Sequence, residues 1–481
     1  MPEITIETAL KIWDNSQSER ADMLERDNYY EGIQKILEAQ EPYADGTKKA
    51  GIVTNWSAYV VNRFLGGIGP FQVTARTQKD GVDADAIAAT MEELTALWER
   101  QNIAALNDEL LLDCLVEGYG VELHSFDADS KQIEMTRYPP REWVFVYDST
   151  GTLVAAIRNV VLGVGTMHDG ALLEKSVRIV SVYDDKTIAT YTNTDDAKEW
   201  VTLPPQQHFY RQIPVIQWSC GGSVLSEALM RQNDAYNSTD SMSIDAIYRE
   251  IDSILTVIGL DANWMKDNAQ GVKDSRVLPL EENGKAELLI RTADGQRFID
   301  SITRTRSQIH IMGEVPDVDR VVGATGATSG IALKLMFLPM DQRVEAMIPI
   351  LQMGVRGRID LINAMRRKQG LATLEDYDVT IRFRMPVNRI EEWQNIKELD
   401  GIVSRSTQLT LLTDIDDAQV ELSNLEEEGA VRGEPDDAAA TIADRTATSD
   451  AKSVNLEATI EEVVTALSDA ITTRFLKDGV V

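Results

Sequence analysis

Cysteine and histidine are scarce in this chain. Two cysteines, Cys114 and Cys220, cannot build a disulfide framework or a multi-cysteine zinc site, and they fit a reducing, cytoplasmic origin. The four histidines, His124, His168, His208 and His310, never fall at i, i+3 or i+4 from one another, which argues against a His-rich metal enzyme. No run of about eighteen apolar residues exists, so no transmembrane helix is expected. The opening MPEITIETALKIWDNSQSER has neither a basic n-region nor an apolar h-region, so no secretory signal is expected. Aromatics are 6 % of the residues. Basic residues are outnumbered: 47 Lys and Arg against 78 Asp and Glu leave a net charge of −31. Such a surface repels phosphate, which at first argues against a general DNA binder. Apolar residues are not lacking. They make up 43 % of 481 residues, enough to bury a real core in about two to four domains.

The charge is unevenly spread. Residues 391–481 hold 21 acidic and 7 basic residues, a net of −14. Residues 301–372 hold 10 basic and 6 acidic residues, a net of +4. A basic segment thus sits inside an acidic protein, although charge runs of this kind are commonly just solvated faces.

Periodicity predicts helix over the first forty residues up to Pro42, and over Asn55–Leu65 before the glycines at 66, 67 and 69. Phe71–Arg76 alternates as a strand, and 83–118 reads as helix. From 121 to 218, short β-rich runs (VELHSF, QIEMTR, WVFVY, LVAAIRNV, VRIVSVY, TIATYT) predict an antiparallel sheet or open barrel, with no alternating βαβ unit. A long helix is expected over 223–258, with Ser223 as N-cap and Glu227 in the first turn. Its apolar stripe is Leu225, Leu229, Tyr236, Ile247, Ile251, Ile254 and Ile258. Its middle, Asn237–Ser241, is polar and fits poorly against a dry core. Asn283-Gly284 between Val277–Leu280 and Ala286–Ile290 is a hairpin signal, because a type I′ turn needs positive φ at both central residues. Another helix is expected over Gln296–Met312, with Arg297 and Arg304 sharing a face. A loop over 313–330 precedes a helix over 329–368, which Pro339 and Pro349 should kink. Tyr377–Met385 reads as a strand and 388–428 as helix, restarted at Ser406-Thr407 and Thr413-Asp414. Residues 429–453 read as a linker and Leu456–Phe475 as an amphipathic helix.

Candidate chemistry is thin. GATGATSG at 323–330 precedes a helix but lacks the GxxxxGK[ST] pattern, so a flexible loop is the better reading than a nucleotide site. Asp414, Asp416, Asp417 and Glu421 could hold magnesium for phosphoryl transfer or nuclease chemistry, but they also sit where acids cap and stabilise a helix start. Arg297, Arg304 and Arg306 are either salt-bridged or line something anionic. His124 and His310 have no Ser or Cys partner in view and read as satisfied core or surface histidines, while Cys114 falls on an apolar helix stripe and reads as core. No catalytic constellation, cofactor site or metal site follows from these residues.

The order of parts goes further. Tyr29-Tyr30-Glu31-Gly32, Asn55–Gly66 and RYPPREW (137–143) come first. EALMRQNDAYNSTDSMSID (227–245), Ser329-Gly330-Ile-Ala-Leu-Lys334 and DGIVSRSTQL (400–409) follow, with Asp416-Asp417 after them. In this order, over roughly 20–430, they resemble the portal proteins (head-to-tail connectors) of tailed double-stranded DNA bacteriophages. The resemblance implies an α+β portal fold with long stem helices, a mostly antiparallel β wing, a small α/β clip and a helical crown. Residues 1–222 and 331–430 would form the wing, 223–258 and 296–313 the stem, 259–295 the clip, 314–330 the tunnel loop, and 431–481 the linker and crown helix.

It implies no enzyme and no cofactor. The expected role is a homo-oligomeric ring, a dodecamer, at one capsid vertex, serving genome packaging and DNA ejection. Expected partners are the terminase large subunit, a head-completion or tail adaptor protein, and the major capsid and scaffolding proteins. Double-stranded DNA would pass without sequence preference, and no membrane is involved. The location would be the virion, and host cytoplasm during assembly. On this reading Arg297, Arg304, Arg306, Arg320, Thr325 and Thr328 are expected along the DNA channel, and Asn283, Gly284 and Lys285 on the clip's partner surface. A magnesium-dependent phosphoryl-transfer enzyme or nuclease, or another virion ring or adaptor protein, stands as the alternative.

Overall fold

In the computed structural model, the described residues are 4–412 apart from 38–41, 43–47, 77–83, 128–131, 164, 166, 169–170, 173–174, 195–198, 252–253, 259–284, 290–294, 319–329, 385–392 and 394–395; beyond 412 they are 421–422 and 424–425. The chain divides into two units, Met1–Pro386 and Val387–Val481.

The first unit opens with helices α1 (Ile6–Asn15) and α2 (Gln17–Glu31), in place of one continuous helix. The break falls at Ser16, whose hydroxyl donates to the Trp13 carbonyl. Gly32, at φ 80°, ends α2. Helix α3 (Trp56–Gly67) is capped by Asn55, whose side chain accepts from the Ala58 N–H. It runs into strand β1 (Ile68–Ala75). The expected helix over 83–118 is two, α4 (Ala84–Arg100) and α5 (Ile103–Val116), because Asn102 turns left-handed at φ 49°. Asparagine tolerates that conformation better than most residues.

The β-rich stretch forms separate antiparallel sheets among the described residues, not a closed barrel. One carries β2 (Tyr119–Asp127) between β3 (Gln132–Tyr138) and β12 (Val215–Ser219). The larger runs β10–β9–β8–β5–β4, with β11 also on β9. Its strands are β4 (Trp143–Tyr147), β5 (Leu153–Leu162), β8 (Val177–Tyr183), β9 (Thr187–Thr194), β10 (Val201–Thr202) and β11 (Gln206–Gln207). Between β5 and β8 in sequence, β6 (Met167–His168) and β7 (Ala171–Leu172) form a separate two-stranded ribbon.

Helix α6 is Glu227–Ile251, shorter than the expected 223–258 at both ends. Ser223 does not cap it. Its hydroxyl lies 2.9 Å from the Leu115 carbonyl oxygen and 2.7 Å from that of Val116, closing the end of α5. Ser226 takes the capping role, accepting from the Leu229 N–H. At the other end, Ile254–Ile258 is strand β13, a run rich in β-branched residues. It pairs with β14 (Lys285–Leu289) from Ile254 opposite Leu289 to Ile258 opposite Lys285. The described partner of 285–289 is thus β13. Residues 277–284, with the Asn283-Gly284 turn, lie outside the described residues.

Helix α7 (Gly295–Met312) packs along α6. Helix α8 (Gly330–Gln369) is one 40-residue element with Pro339 and Pro349 inside it. Strand β15 (Tyr377–Phe383) pairs antiparallel with β1. The main core lies between α3, α5, α8 and the sheet β12–β2–β3. Here Gly354 of α8 is required, since a Cβ at that position would lie 2.5 Å from the Trp218 ring. In the second unit, α9 (Arg405–Leu411) is capped by Ser404, which accepts from the Thr407 N–H, so the restart comes two residues before the expected Ser406.

Candidate DNA-channel segment and its anchors

Helix α6 is held by its own polar residues. Asn233, Asn237, Ser241 and Asp245 recur every four positions and therefore share one face. Asn233 Oδ1 accepts from the Ser57 N–H at 3.1 Å, and its Nδ2 donates to the Thr54 carbonyl at 2.9 Å. The Thr54 N–H donates to Asn237 Oδ1, the Ile52 N–H to Ser241 Oγ and the Ala50 N–H to Asp245 Oδ1, all at 2.9–3.0 Å. Four helical residues advance about 6 Å, and two extended residues advance about 6.6 Å. A polar residue every helical turn thus matches every second N–H of the extended segment 50–54. Gln34 closes the inner end, bonding both Asn233 and Asn237. Of the polar middle of this helix, which fits poorly against a dry apolar core, Asn237 and Ser241 are buried against the chain's own backbone, and Ser238, Thr239 and Asp240 are half-buried.

The C-terminal end of α7 is fixed by aromatics. The Trp56 ring meets Tyr59, Tyr236 and His310 edge-on at centroid distances of 5.4–5.5 Å. Arg306 donates to Asp317 Oδ1 at 2.9 Å and lies 5.8 Å over Trp56. His310 Nδ1 lies 3.3 Å from the Val315 carbonyl oxygen. Gly313 packs so tightly that a Cβ there would meet Val60 at 2.8 Å. The chain then turns through Glu314, at φ 55°, toward residue 318.

Of the residues expected along a channel, Arg297 and Arg304 are exposed on α7, seven positions apart on one face. Asp300 lies between them and is also exposed. Arg306 does not join them, because it is engaged with Asp317 and Trp56. Arg320, Thr325 and Thr328 lie outside the described residues, as do Asn283 and Gly284. Lys285 is exposed at the start of β14. Asp414, Asp416 and Asp417 also lie outside, and of that acidic group only Glu421 is described. Among the described residues, no group of three or more His, Cys, Asp or Glu side chains could hold a metal ion. Nor is any helix among them long and apolar enough to cross a membrane.

A second buried polar system ties α8 to β2. Arg358 donates to both Glu122 oxygens at 2.8–3.1 Å and to Asn107 Oδ1 at 2.7 Å. Trp218 Nε1 donates to Glu122 Oε2, and His124 Nε2 lies 2.8 Å from Oε1. Burial alone would raise the Glu122 pKa; the Arg358 charge and the His124 contact outweigh it and hold the carboxyl near about 2. Nothing in the sequence marks this pair, whose partners are 236 residues apart. The α6 stripe did carry a signal, the i+4 repeat of short polar residues. Cys114 is buried, as expected of a core residue, and of the two readings open for His124 and His310 the structure gives the buried one.

The sequence matches the phage portal protein family, SPP1 Gp6-like, over residues 9–433. The chain belongs to this family. No curated protein matches it. Among solved structures it is similar to a chain in the neck of an empty GTA particle computed with C6 symmetry. That match has 11 % identity, covers 74 % of this chain and 90 % of that one, and has a TM-score of 0.42. It is also similar to a chain in the virion of a native gene transfer agent (GTA) particle, at 13 % identity, 74 % and 89 % coverage, and a TM-score of 0.41. Both likenesses are too distant to add to the assignment. As a portal protein, the chain has a structural role as a ring-forming component of the virion, with the mixed α+β portal fold.

Proposed function

We propose that this portal protein forms a dodecameric ring at one capsid vertex, through which the genome is packaged and later ejected. The observation that carries the reading is the family match over 425 of 481 residues (9 to 433). In this reading α6 and α7 are the stem, and the segment from β13 to residue 294 is the clip that meets the terminase large subunit and then a head-completion or tail adaptor protein. Residues 314–330 are the tunnel loop, 1–222 and 331–430 the wing beside the capsid and scaffolding proteins, and 431–481 the crown. Assembly takes place in the host cytoplasm. The protein acts by shape and charge, without catalysis.

Three features support the reading. The pairing of β13 with β14 joins the far ends of α6 and α7, as a closed clip requires. Large apolar side chains stay exposed on Met242 and Ile247 of α6, on Ile299 and Ile311 of α7, and on Leu335 and Met353 of α8. Exposed apolar surface repeated on neighbouring helices suits contact with adjacent copies. Finally, a DNA conduit must not grip its cargo. Every phosphate neutralised by Lys or Arg adds counterion-release affinity, and a ring multiplies each such residue by its copy number. The exposed run Arg297, Asp300, Arg304 mixes signs, which limits that grip.

Negative-stain electron microscopy of the purified full chain tests the proposal. Rings with a central hole are expected. Monodisperse monomers at every concentration, together with absence of the chain from DNA-filled heads, would contradict it.

A further inference from the structure

A concave site of about 690 Å³ lies far in sequence from the stem, where the C-terminal end of α8 meets the loop between β11 and β12 and the turn between β8 and β9. Four cations line it, Lys186, Arg211, Arg367 and Lys368, against two carboxylates, Asp185 and Asp360. A net positive pocket in a protein of charge −31 is a local inversion.

The loop that builds it is locked in a costly conformation. Phe209 and Arg211 adopt φ 67° and 60°, positive values that non-glycine residues rarely hold without external support. The support is Tyr210, buried between them. Its hydroxyl donates to the Ser125 carbonyl at 3.0 Å, and its N–H donates to His208 Nδ1. His208 Nε2 in turn donates to the Asp184 carbonyl at 2.9 Å. With Tyr210 pinned inward, Phe209 and Arg211 on either side stay exposed. Two of the cations are already engaged, Arg367 with Glu375 at 2.8 Å and Lys368 over the Phe209 ring at 3.1 Å. Lys186 is only 3.9 Å from Asp185, and the Arg211 side chain has no hydrogen-bond or ion-pair partner among the described residues.

We infer that this pocket is the receiving half of the contact between neighbouring copies, taking a carboxylate-bearing segment of the adjacent copy with Arg211 as its anchor. The inference rests on the ring reading above. In a ring each copy meets its two neighbours through two different surfaces, one receiving and one inserted. Copies of charge −31 repel one another, so one of those surfaces needs an excess of cations to offset the other's acids. An exposed guanidinium offers a carboxylate two parallel N–H donors. The pocket's mixed signs and its half-exposed Phe209 suit a protein segment, which can answer residue by residue. A uniformly anionic DNA backbone cannot, and a broad convex duplex does not seat in a concave site.

The test uses the full-length chain. Native mass spectrometry over a concentration series compares the wild type with the double variant Lys186→Glu/Arg211→Glu. The midpoint for ring formation should rise about tenfold or more in the variant. Added salt should raise the wild-type midpoint relative to the variant's, because screening weakens an attraction in the wild type and relieves a repulsion in the variant. Both substituted residues are exposed, and equal thermal melts would show that the variant folds. The single variant Arg211→Lys, which keeps the charge but not the paired donors, should assemble with a midpoint between those of the wild type and the double variant. Carbodiimide coupling of mixed light- and heavy-labelled copies should join Lys186 or Lys368 to an acidic residue of another copy.

Equal midpoints with equal salt response would overturn the pocket's role and leave the ring standing. Coupling of these lysines only to a different particle protein, or a variant that assembles normally but loses DNA retention, would overturn it too. A wild type that forms no ring at any concentration would reject the ring reading itself.

Discussion

Helices α6 and α7 lie side by side and use polar residues in opposite ways. On α6, Asn233, Asn237, Ser241 and Asp245 are buried and bonded to the backbone of 50–57. On α7, Arg297, Asp300 and Arg304 stay in solvent. Composition does not separate the two cases; spacing and a waiting partner do. A polar stripe that repeats every four residues has a partner when an extended segment with free N–H groups runs along it. The face of α7 that carries Arg297, Asp300 and Arg304 stays exposed.

That contrast can be stressed by substitution, beginning where inward polarity is most demanding. Arg358→Met leaves the Glu122 carboxylate buried beside α8 without its charge partner. A loss of about 3–5 kcal/mol is expected, read as a lowered midpoint in chemical denaturation.

The next effect depends on pH. Glu117 is buried, and burial, followed by Arg141 pulling the other way and Asp113 and Asp27 adding to the rise, pushes its carboxyl up to about 7. Its closest cation, Arg141, stays 3.4 Å away. The folded protein thus keeps a proton that the unfolded chain releases near 4.5. The associated stability is full below 4.5 and is lost as pH rises through 7. Relative to Glu117→Gln, the wild type should weaken by roughly 2–3 kcal/mol between pH 4 and pH 8.5. A pH-independent difference would show that Glu117 is satisfied as the α6 stripe is. Glu122, only five residues along, runs the other way. Its stability is present above 4.5 and declines as pH falls toward about 2.

On α6 itself, Asn237→Leu strands the Thr54 N–H and removes one of the two donors to Gln34 Oε1, the other being Asn233. A cost of about 1–3 kcal/mol is expected, with faster hydrogen exchange over 50–57. The smallest effect belongs to α7. Arg304→Gln should change stability by less than about 0.5 kcal/mol, since the residue is exposed, while altering the salt dependence of DNA passage. If Arg304→Gln unfolds the protein, α7 is not an open face and the contrast fails.

Much of the fold was legible in the sequence. The β-rich runs between 119 and 219, the helix over 295–312 and the long helix to Gln369 follow from periodicity and turn residues. What escaped depended on distant partners. Ile254–Ile258 continues the apolar spacing of α6 and looks helical until β14 provides an edge to pair with. Ser223 resembles a cap until α5 claims its hydroxyl. The polar middle of α6 had no visible partner because the sequence does not reveal that residues 50–54 run past it. Arg306 sits close to Arg304 in sequence, but it is half-buried and bonded to Asp317, a contact the sequence does not announce. The family itself was legible, because its motifs occur in a fixed order over several hundred residues, each weak alone.

Cryo-electron microscopy of the assembled full-length protein tests the proposed ring, with its channel lined in part by α7. A closed ring is expected, with Arg297 and Arg304 of every copy facing the central hole, and Asn233 and Asn237 turned away from it toward residues 50–57. A ring with the exposed face of α7 on its outer surface, or a chain that stays monomeric, would contradict it.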